Sequence, residues 1–126
     1  MKVKIYYHHT DCGGVVYYAN YLNFLEEART EFFAENGLPL KTLSEDRNIL
    51  FVVSRQELDY KFPAYYADIL EIGTKLTNIG NVRLEFEHRV NNQNGQLICQ
   101  GKVTLVCVGK DFKPQAISED IRNKLE

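Results

Sequence analysis

The sequence predicts an α+β fold in which a curved antiparallel sheet wraps around one long helix. Two patterns predict it. A segment from Ala19 to Asn36 repeats its apolar residues with the period of a helix, and four later segments repeat theirs at every second position, as strands do. Because this helix is the one predicted element long enough to cover the apolar face of four sequential strands, we expect the sheet to curl around it.

The chain begins with a short predicted strand, Lys2 to Tyr7, which places Val3, Ile5 and Tyr7 on one face. The segment Cys12-Gly13-Gly14 follows a few residues later. Two consecutive glycines permit backbone conformations that other residues avoid, and they let a ligand approach the main chain closely. We therefore expect a turn with open space above it.

The long helix carries signals for both of its ends. Asn20 is a candidate N-cap, Gly37 supplies a C-terminal stop, and Pro39 blocks continuation of the helix. Its apolar stripe consists of Tyr21, Leu25, Ala28 and Phe32, widened by Leu22 and Phe24. The polar residues Ser44 to Arg47 are expected to form a connection to the strands.

Four strands are predicted after this connection, and a short helix closes the chain. The strands are Arg55–Phe62, Asp68–Ile79, Val82–Val90 and Leu97–Val108, and the helix is Ser118–Leu125. The predicted inward positions are Leu58, Tyr60, Phe62, Leu70, Ile72, Thr74, Leu76, Val82, Leu84 and Phe86, with His88 in the same register. Asn94-Gly95 predicts the last hairpin.

The last strand is apolar on both faces near Val103–Val108, which is typical of a central strand or of a strand at a subunit interface. Strands of this length also leave free edges, and a second copy commonly hides such edges across a two-fold axis. We therefore expect a homo-oligomer.

Composition excludes several classes of protein. At 126 residues the chain fits one domain, residues 1–126, and its formal net charge of -2, from 15 basic and 17 acidic residues, lacks the cations that nucleic-acid binding requires. The longest aliphatic and aromatic run, Ile49–Val53, is too short for membrane insertion, and no export signal is visible. Three cysteines without CxxC spacing argue against disulfides and zinc. We expect a cytoplasmic protein with reduced thiols.

Residues 9–29 carry the chemical information in this sequence. They place the carboxylate of Asp11, a two-glycine turn and the start of a helix close together along the chain. Unpaired amides and the partial positive charge at a helix start can stabilise the oxyanion that forms when a thioester carbonyl is attacked. Asp11 can act there as a nucleophile or as a general base on water. Taken alone, such an aspartate more often closes the loop as an Asx-turn or helix-cap residue.

Two separated motifs resemble those of one enzyme family. The first is the run from Asp11 to Tyr21, continued by Glu26-Glu27-Ala28-Arg29. The second comprises Asp59-Tyr60, Pro63-Ala64, Asp68 and Leu70. In this order and spacing they resemble the 4-hydroxybenzoyl-CoA thioesterase family, and most closely its branch of Tol-Pal-associated acyl-CoA thioesterases. The resemblance extends from about Val3 to Val108.

This resemblance implies a hotdog fold, acyl-CoA as the substrate, no cofactor, and a homodimer or homotetramer with the active site at the dimer interface. By position, Asp11 corresponds to the catalytic aspartate, and the backbone amide of Tyr18 corresponds to the donor that polarises the thioester carbonyl. Gly14, Val15 and Val16, inside the matched run, are assigned to substrate binding. Tol-Pal-associated members commonly carry histidine where this chain has Tyr18, whereas the 4-hydroxybenzoyl-CoA branch can carry tyrosine, so the acyl preference stays open.

Three charged residues outside the first turn have two interpretations each. Glu26 is a candidate for substrate contact, because a helix carboxylate is catalytic in some hotdog thioesterases, but an ion pair with Arg29 is the favoured interpretation. Arg83 and Arg89 can meet the phosphates of coenzyme A or can belong to an ordinary solvated strand face. His88 is expected to be a core or interface histidine and not a catalyst.

No metal site is predicted. His8, His9, Asp11 and Cys12 are ligand types, but adjacent histidines on an extended chain point to opposite sides. Cys12 has no identifiable base and is interpreted as a spacer.

The sequence therefore favours a hydrolase of small-to-medium acyl-CoA thioesters, either aliphatic or aromatic. The alternative is a non-catalytic protein of the same fold that binds acyl thioesters or serves as a scaffold. A hotdog hydratase is a third option, but it ordinarily needs a paired aspartate and histidine that the spacing here does not show.

Overall fold

The computed structural model describes residues 1–126 and contains five strands and three α-helices. In chain order these are β1 (Lys2–Lys4), α1 (Asn20–Glu35), α2 (Leu40–Arg47), β2 (Leu50–Tyr60), β3 (Ile69–Ile79), β4 (Arg83–Asn91), β5 (Leu97–Val108) and α3 (Glu119–Leu125). A single 3-10 turn, Tyr7–His9, follows β1. The predicted α+β class is confirmed.

The strands form one antiparallel sheet in the order β1-β3-β4-β5-β2. β5 lies between β4 and β2, so the prediction of a central strand at Val103–Val108 is confirmed. The two edges differ, because β1 has three residues whereas β2 has eleven. The long β2 edge is therefore the part of the sheet with the most unpaired backbone groups.

The core lies between α1 and the inner face of the sheet, which curls around the helix. One cluster joins the N-terminal half of α1 to β3, β4 and β5 through Tyr21, Phe24, Leu25, Ala28, Leu70, Ile72, Val90 and Ile98. A second cluster joins its C-terminal end to the other half of the sheet and to α2 and α3, through Phe33, Leu43, Leu84, Phe86, Val103, Leu105 and Ile121. Each fully buried aliphatic or phenylalanine side chain contributes roughly 1.5–3 kcal/mol. This arrangement confirms the predicted hotdog fold.

The C-terminal end of α1 is a Schellman motif, as the glycine signal predicts. Gly37 has φ 74°, its amide donates to the Ala34 carbonyl at 3.1 Å, and the Leu38 amide donates to the Phe33 carbonyl at 2.8 Å. Leu38 is buried beside the helix end. The predicted stop at Gly37 is confirmed.

The predicted N-cap and the predicted first strand are wrong in detail. Ala19 occupies the N-cap position, and Asn20 is the first helical residue, whose side-chain amide donates to the His9 carbonyl at 2.8 Å. The strand ends at Lys4 because the chain then coils, with the Tyr6 amide donating to Nδ1 of His9 at 2.9 Å. Coiling also brings the His8 and His9 rings to 4.0 Å between centroids instead of placing them on opposite sides.

Residues 44–47 are not a connection but the second half of α2. Leu43 anchors this short helix in the core, and Asn48, with φ 54°, ends it in the left-handed conformation. β2 then begins at Leu50, five residues before the predicted start. Its early residues join the sheet because the Phe51 ring stacks on Phe33 at 5.1 Å between centroids.

At the other end of β2, the prediction that Tyr60 and Phe62 point inward is wrong, because both side chains are exposed.

None of the helices combines the length and the apolar composition that crossing a bilayer requires.

Candidate active site

Asp11 closes the turn that precedes α1. Its Oδ1 accepts a hydrogen bond from the Gly13 amide at 2.8 Å, and its carbonyl accepts one from the Gly14 amide at 3.0 Å. The Asx-turn anticipated from the sequence is therefore present. Oδ2 makes no hydrogen bond or ion pair within the chain, and the side chain is exposed. One carboxylate oxygen holds the turn, and the other is available to react.

The two glycines of this turn constrain it in different ways. Gly14 has φ 80°, a conformation that strains any residue with a side chain. A Cβ at Gly13 would lie 3.2 Å from Oδ1 of Asp11, so a larger residue there presses on the carboxylate. The glycine pair thus sets where the Asp11 carboxylate sits.

The Tyr18 amide lies at the start of α1 and donates to no acceptor within the chain. The same peptide group carries the Tyr17 carbonyl, which accepts a hydrogen bond from the Asn20 amide at 2.9 Å. Because a trans peptide points its N–H and C=O in opposite directions, a carbonyl directed into the helix directs the Tyr18 N–H away from it. No side chain caps this helix start. The free amide therefore adds to the partial positive charge of the helix N-terminus.

Backbone hydrogen bonds join the second sequence motif to the first. The Val16 amide donates to the carbonyl of buried Ala64 at 2.8 Å, and Val15 forms a bridge with Tyr65. Asp68 accepts from the Tyr65 amide at 2.8 Å. Its other oxygen accepts from the Gln93 side chain at 2.9 Å. The two motifs that are far apart in sequence are thus hydrogen-bonded into one structure.

An open cleft of about 330 Å³ brings the turn and the helix start together. It is lined by Asp11, Val15, Val16, Tyr18, Tyr21, Tyr60, Lys61, Phe62 and Pro63. Four predicted site residues, Asp11, Val15, Val16 and Tyr18, therefore share one cavity, and Gly14 lies in the adjoining turn without lining it. Sequence reasoning missed Tyr60, Phe62 and Lys61, the only cation of the lining. The second motif, which includes Tyr60 and Pro63, was the signal that could have found them.

The remaining predicted residues lie elsewhere in the chain. Glu26 is exposed on α1 and accepts a hydrogen bond from Thr30 at 3.3 Å, so the favoured ion pair with Arg29 is absent. Arg83 and Arg89 point from β4 to the outer face of the sheet, where Arg89 lines a separate cleft of about 370 Å³. A role for Glu26, Arg83 and Arg89 in substrate binding stays a prediction.

Arg29 is buried, which the helical pattern did not indicate. It is 5% exposed, and its Nη1 donates to Nε2 of His88 at 3.3 Å. His88 is 1% exposed, which confirms its inward position. Because arginine only donates, Nε2 must be the acceptor, so Nδ1 carries the proton and donates to the Gly73 carbonyl at 3.2 Å. Burial and the charge of Arg29 lower the pKa of His88 to about 4.

The two buried thiols and the paired histidines form neither a reactive thiolate nor a metal cluster. Burial raises the pKa of Cys99 to about 11 and also raises that of Cys107, so both thiols stay protonated. Burial and the neighbouring His8 lower the pKa of His9. No group of three or more His, Cys, Asp or Glu side chains is arranged to hold a metal ion.

Comparison with known proteins adds an independent line of observation. Residues 6–125 match the family model of the thioesterase-like superfamily. The acyl-CoA thioester hydrolase YbgC of Escherichia coli O6:H1 is 38% identical over 120 residues, which cover 94% of this chain and 89% of that protein. The acyl-CoA thioesterase YbgC of Haemophilus influenzae is 35% identical over 122 residues, covering 95% of this chain and 88% of that protein.

A solved structure gives the same likeness of fold. It is a 4-hydroxybenzoyl CoA thioesterase variant complexed with 4-hydroxybenzoyl CoA, and it superposes with a TM-score of 0.92 at 21% identity. The match covers 100% of this chain and 96% of that one.

Proposed function

The chain belongs to the thioesterase-like superfamily, and from that premise we propose that it is an acyl-CoA thioester hydrolase whose reaction takes place in the Asp11 cleft. One observation carries the assignment to this site. The unpaired Oδ2 of Asp11 and the unpaired amide of Tyr18 belong to residues that line the same cavity. A nucleophile or base and an oxyanion donor are the two groups that thioester hydrolysis needs. We propose that one domain spanning the chain carries both.

In the proposed reaction the thioester carbonyl oxygen accepts a hydrogen bond from the Tyr18 amide. Asp11 then acts by one of two routes. In the first, Oδ2 attacks the carbonyl carbon, the C–S bond breaks to release the CoA thiolate, and water hydrolyses the resulting anhydride. In the second, Oδ2 takes a proton from water as that water attacks the carbonyl carbon, the C–S bond breaks, and the protonated carboxyl returns its proton to the departing CoA sulfur. Both routes consume one water and yield the free acid and CoA.

The start of α1 supplies the electrostatic part of this proposal. Negative charge develops on the carbonyl oxygen in the transition state, and a helix N-terminus stabilises negative charge. Loss of one comparable donor costs about 10²- to 10³-fold in rate. Because the donor is a main-chain group, it is compatible with tyrosine at position 18.

We propose small-to-medium acyl groups, aliphatic or aromatic, as the substrate range. A cleft of about 330 Å³ has room for a short chain or a single ring beside the thioester. Tyr18, Tyr21, Tyr60 and Phe62 give this lining an aromatic character. Free-thiol release from a panel of acyl-CoA thioesters of increasing length measures both activity and selectivity.

A homodimer or homotetramer completes the proposal. β2 pairs with β5 on one side only, which leaves an eleven-residue strand edge free. Val53, Tyr60 and Phe62 are exposed on or just beyond this strand, and the last two line the cleft. A second copy on this edge would cover both the strand and one wall of the site. Sedimentation velocity is expected to show a dimer or tetramer, and a monomer at assay concentration would contradict this part of the proposal.

Asp11→Asn tests the assignment of the reaction. Asparagine can accept the same hydrogen bond from Gly13, so the turn and the fold are expected to survive, whereas kcat should fall by about 10²- to 10⁴-fold. Asp111→Asn is the matched control, because Oδ1 of Asp111 also closes an Asx-turn, with the Lys113 amide at 3.0 Å, away from the cleft. A folded Asp11→Asn variant with the kcat of the parent would rule out the catalytic role of Asp11.

The second candidate function is non-catalytic binding of acyl thioesters, or a scaffold role. The observation that favours it is the Asx-turn itself, since closing the turn is a sufficient structural reason for Asp11. Tight binding of acyl-CoA without thiol release from any member of the panel would establish this alternative. A hydratase is disfavoured because no histidine lines the cleft.

A further inference from the structure

The hydroxyl of Tyr60 reaches the residue whose amide is the proposed oxyanion donor. Tyr60 is the last residue of β2, and its Oη donates to the Tyr18 carbonyl at 3.1 Å. The rings of Tyr60 and Tyr18 meet edge-to-face at 6.4 Å between centroids, and the Tyr60 ring lies 5.6 Å from that of Tyr21. A side chain from the sheet thus meets the helix start directly.

The helix itself leaves the Tyr18 carbonyl without a partner. In a regular α-helix the Leu22 amide would donate to this carbonyl, but here it donates to the Ala19 carbonyl at 3.1 Å. Tyr60 supplies the missing donor. Its ring contacts the rings of Tyr18 and Tyr21 at edge-to-face and tilted angles, so the hydroxyl is held in place by contacts with two other side chains.

The two peptide groups on either side of Tyr18 Cα are therefore fixed by different bonds. The Asn20 amide holds the preceding peptide through the Tyr17 carbonyl, and Tyr60 holds the following peptide through the Tyr18 carbonyl. Rotation about φ and ψ of Tyr18 needs at least one of these bonds to break. We infer that Tyr60 is a positioning residue, which fixes the direction of the Tyr18 amide in the cleft; this inference rests on the proposed function.

Tyr60 is suited to this role by its attachment and by its chemistry. Tyr60 pairs with Cys99 of β5, and the amide of the next residue, Lys61, donates to the Ile98 carbonyl at 2.8 Å. The backbone that carries the phenol is therefore fixed by the sheet. Burial raises the pKa of Tyr60, so the hydroxyl keeps its proton and remains a donor at neutral pH. A hydrogen bond weakens steeply when its angle departs from linearity, so a donor held in one direction stabilises a transition state better than a mobile donor does.

Tyr60→Phe removes only the hydroxyl and keeps the ring contacts. We expect kcat for a short acyl-CoA to fall about tenfold, with KM within about twofold of the parent, because the lost effect acts on the transition state. The backbone order parameter of the Tyr18 amide, measured by ¹⁵N relaxation, should fall in the same variant. Tyr66→Phe is the matched control, because Tyr66 is also exposed and its ring also contacts another tyrosine ring, that of Tyr7, at 3.8 Å between centroids, but it does not line the cleft.

Each outcome separates this inference from the proposed function. Unchanged kcat and an unchanged Tyr18 order parameter in Tyr60→Phe would overturn the positioning role while leaving the hydrolase assignment intact. An equal loss of kcat in Tyr66→Phe would overturn it as well, since a general weakening of the surface would then be the cause. If the parent protein released no thiol from any thioester, the proposed function would fail, and the Tyr18 order parameter would still decide whether Tyr60 holds that amide.

Discussion

Arg29 and His88 form a buried contact in which a cation faces an imidazole and no carboxylate. Nη1 of Arg29 lies 3.3 Å from Nε2 of His88, and neither residue takes part in an ion pair. The guanidinium can only donate, so this contact requires the neutral imidazole with its proton on Nδ1. A protonated His88 would place a second cation against Arg29 in the core.

Stability should therefore fall as the solution becomes acidic. The pKa of His88 is about 4 in the folded state and 6.5 in the unfolded chain, so the unfolded state binds the proton more readily. The free energy of unfolding keeps its full contribution from this site above pH 6.5, loses it progressively as the pH falls from 6.5 to 4, and loses no more below that. The difference of pKa corresponds to about 3 kcal/mol.

Urea unfolding at a series of pH values between 7 and 4 measures this effect. His88→Gln is the comparison, because glutamine offers an acceptor and a donor but does not titrate. Carboxylates titrate in both proteins, so the difference between the two curves isolates His88. If the free energy of unfolding changed with pH in the same way in parent and variant, His88 would not be the cause of the pH dependence.

The two glycines of the Asp11 turn should respond differently to alanine. In Gly13→Ala the new methyl group lies 3.2 Å from Oδ1 of Asp11, so we expect kcat to fall about tenfold with little loss of stability. In Gly14→Ala nothing lies within 4 Å of the methyl group, but φ is 80°, so the free energy of unfolding should fall by about 1–2 kcal/mol. Steady-state kinetics and urea unfolding of both variants measure the contrast. A Gly13→Ala variant with the parent kcat would show that the carboxylate tolerates displacement.

Lys61 should contribute to binding of the anionic substrate. It is the only cation lining the cleft, and it forms no ion pair within the chain. Lys61→Ala is expected to raise KM for an acyl-CoA by about twofold to fivefold at low salt, the magnitude of an exposed ion pair. Added salt should reduce the difference, because it screens the same attraction. Lys75→Ala, on the outer face of β3, is the control, and an equal change of KM in both variants would mean that net charge alone is responsible.

Periodicity in the sequence predicts the helices and strands that bury one face. It does not predict a residue whose burial depends on a contact with a residue far away in the sequence. Tyr21, Leu25 and Ala28 lie on the core face of α1 as their spacing indicates. Arg29 lies beside them although it is charged, because His88 meets it from β4, and no local pattern reports that contact. α2 was missed because Leu43 is its one buried residue, too few for a helical stripe.

The site divides in the same way. Asp11, the glycines and the helix start are neighbours in sequence, so their proximity could be predicted from a short segment. Tyr60 and Lys61 line the cleft from the end of β2. They lie there because the end of β2 passes beside the Asp11 turn, and the position of β2 depends on the pairing of the whole sheet. Their residue types belong to the matched motif, but only the assembled fold shows which atoms they meet.

In the proposed reaction the donor at the start of α1 belongs to the main chain, so we expect position 18 to tolerate many substitutions. Every amino acid except proline supplies the same N–H, so a codon change there reshapes the wall of the cleft without removing the donor. Acyl selectivity can therefore diverge among descendants of one gene while the reaction is inherited unchanged. A saturation library at this position would test this. Turnover should be retained across the substitutions while the acyl preference varies among them, and proline should be the one residue that abolishes activity.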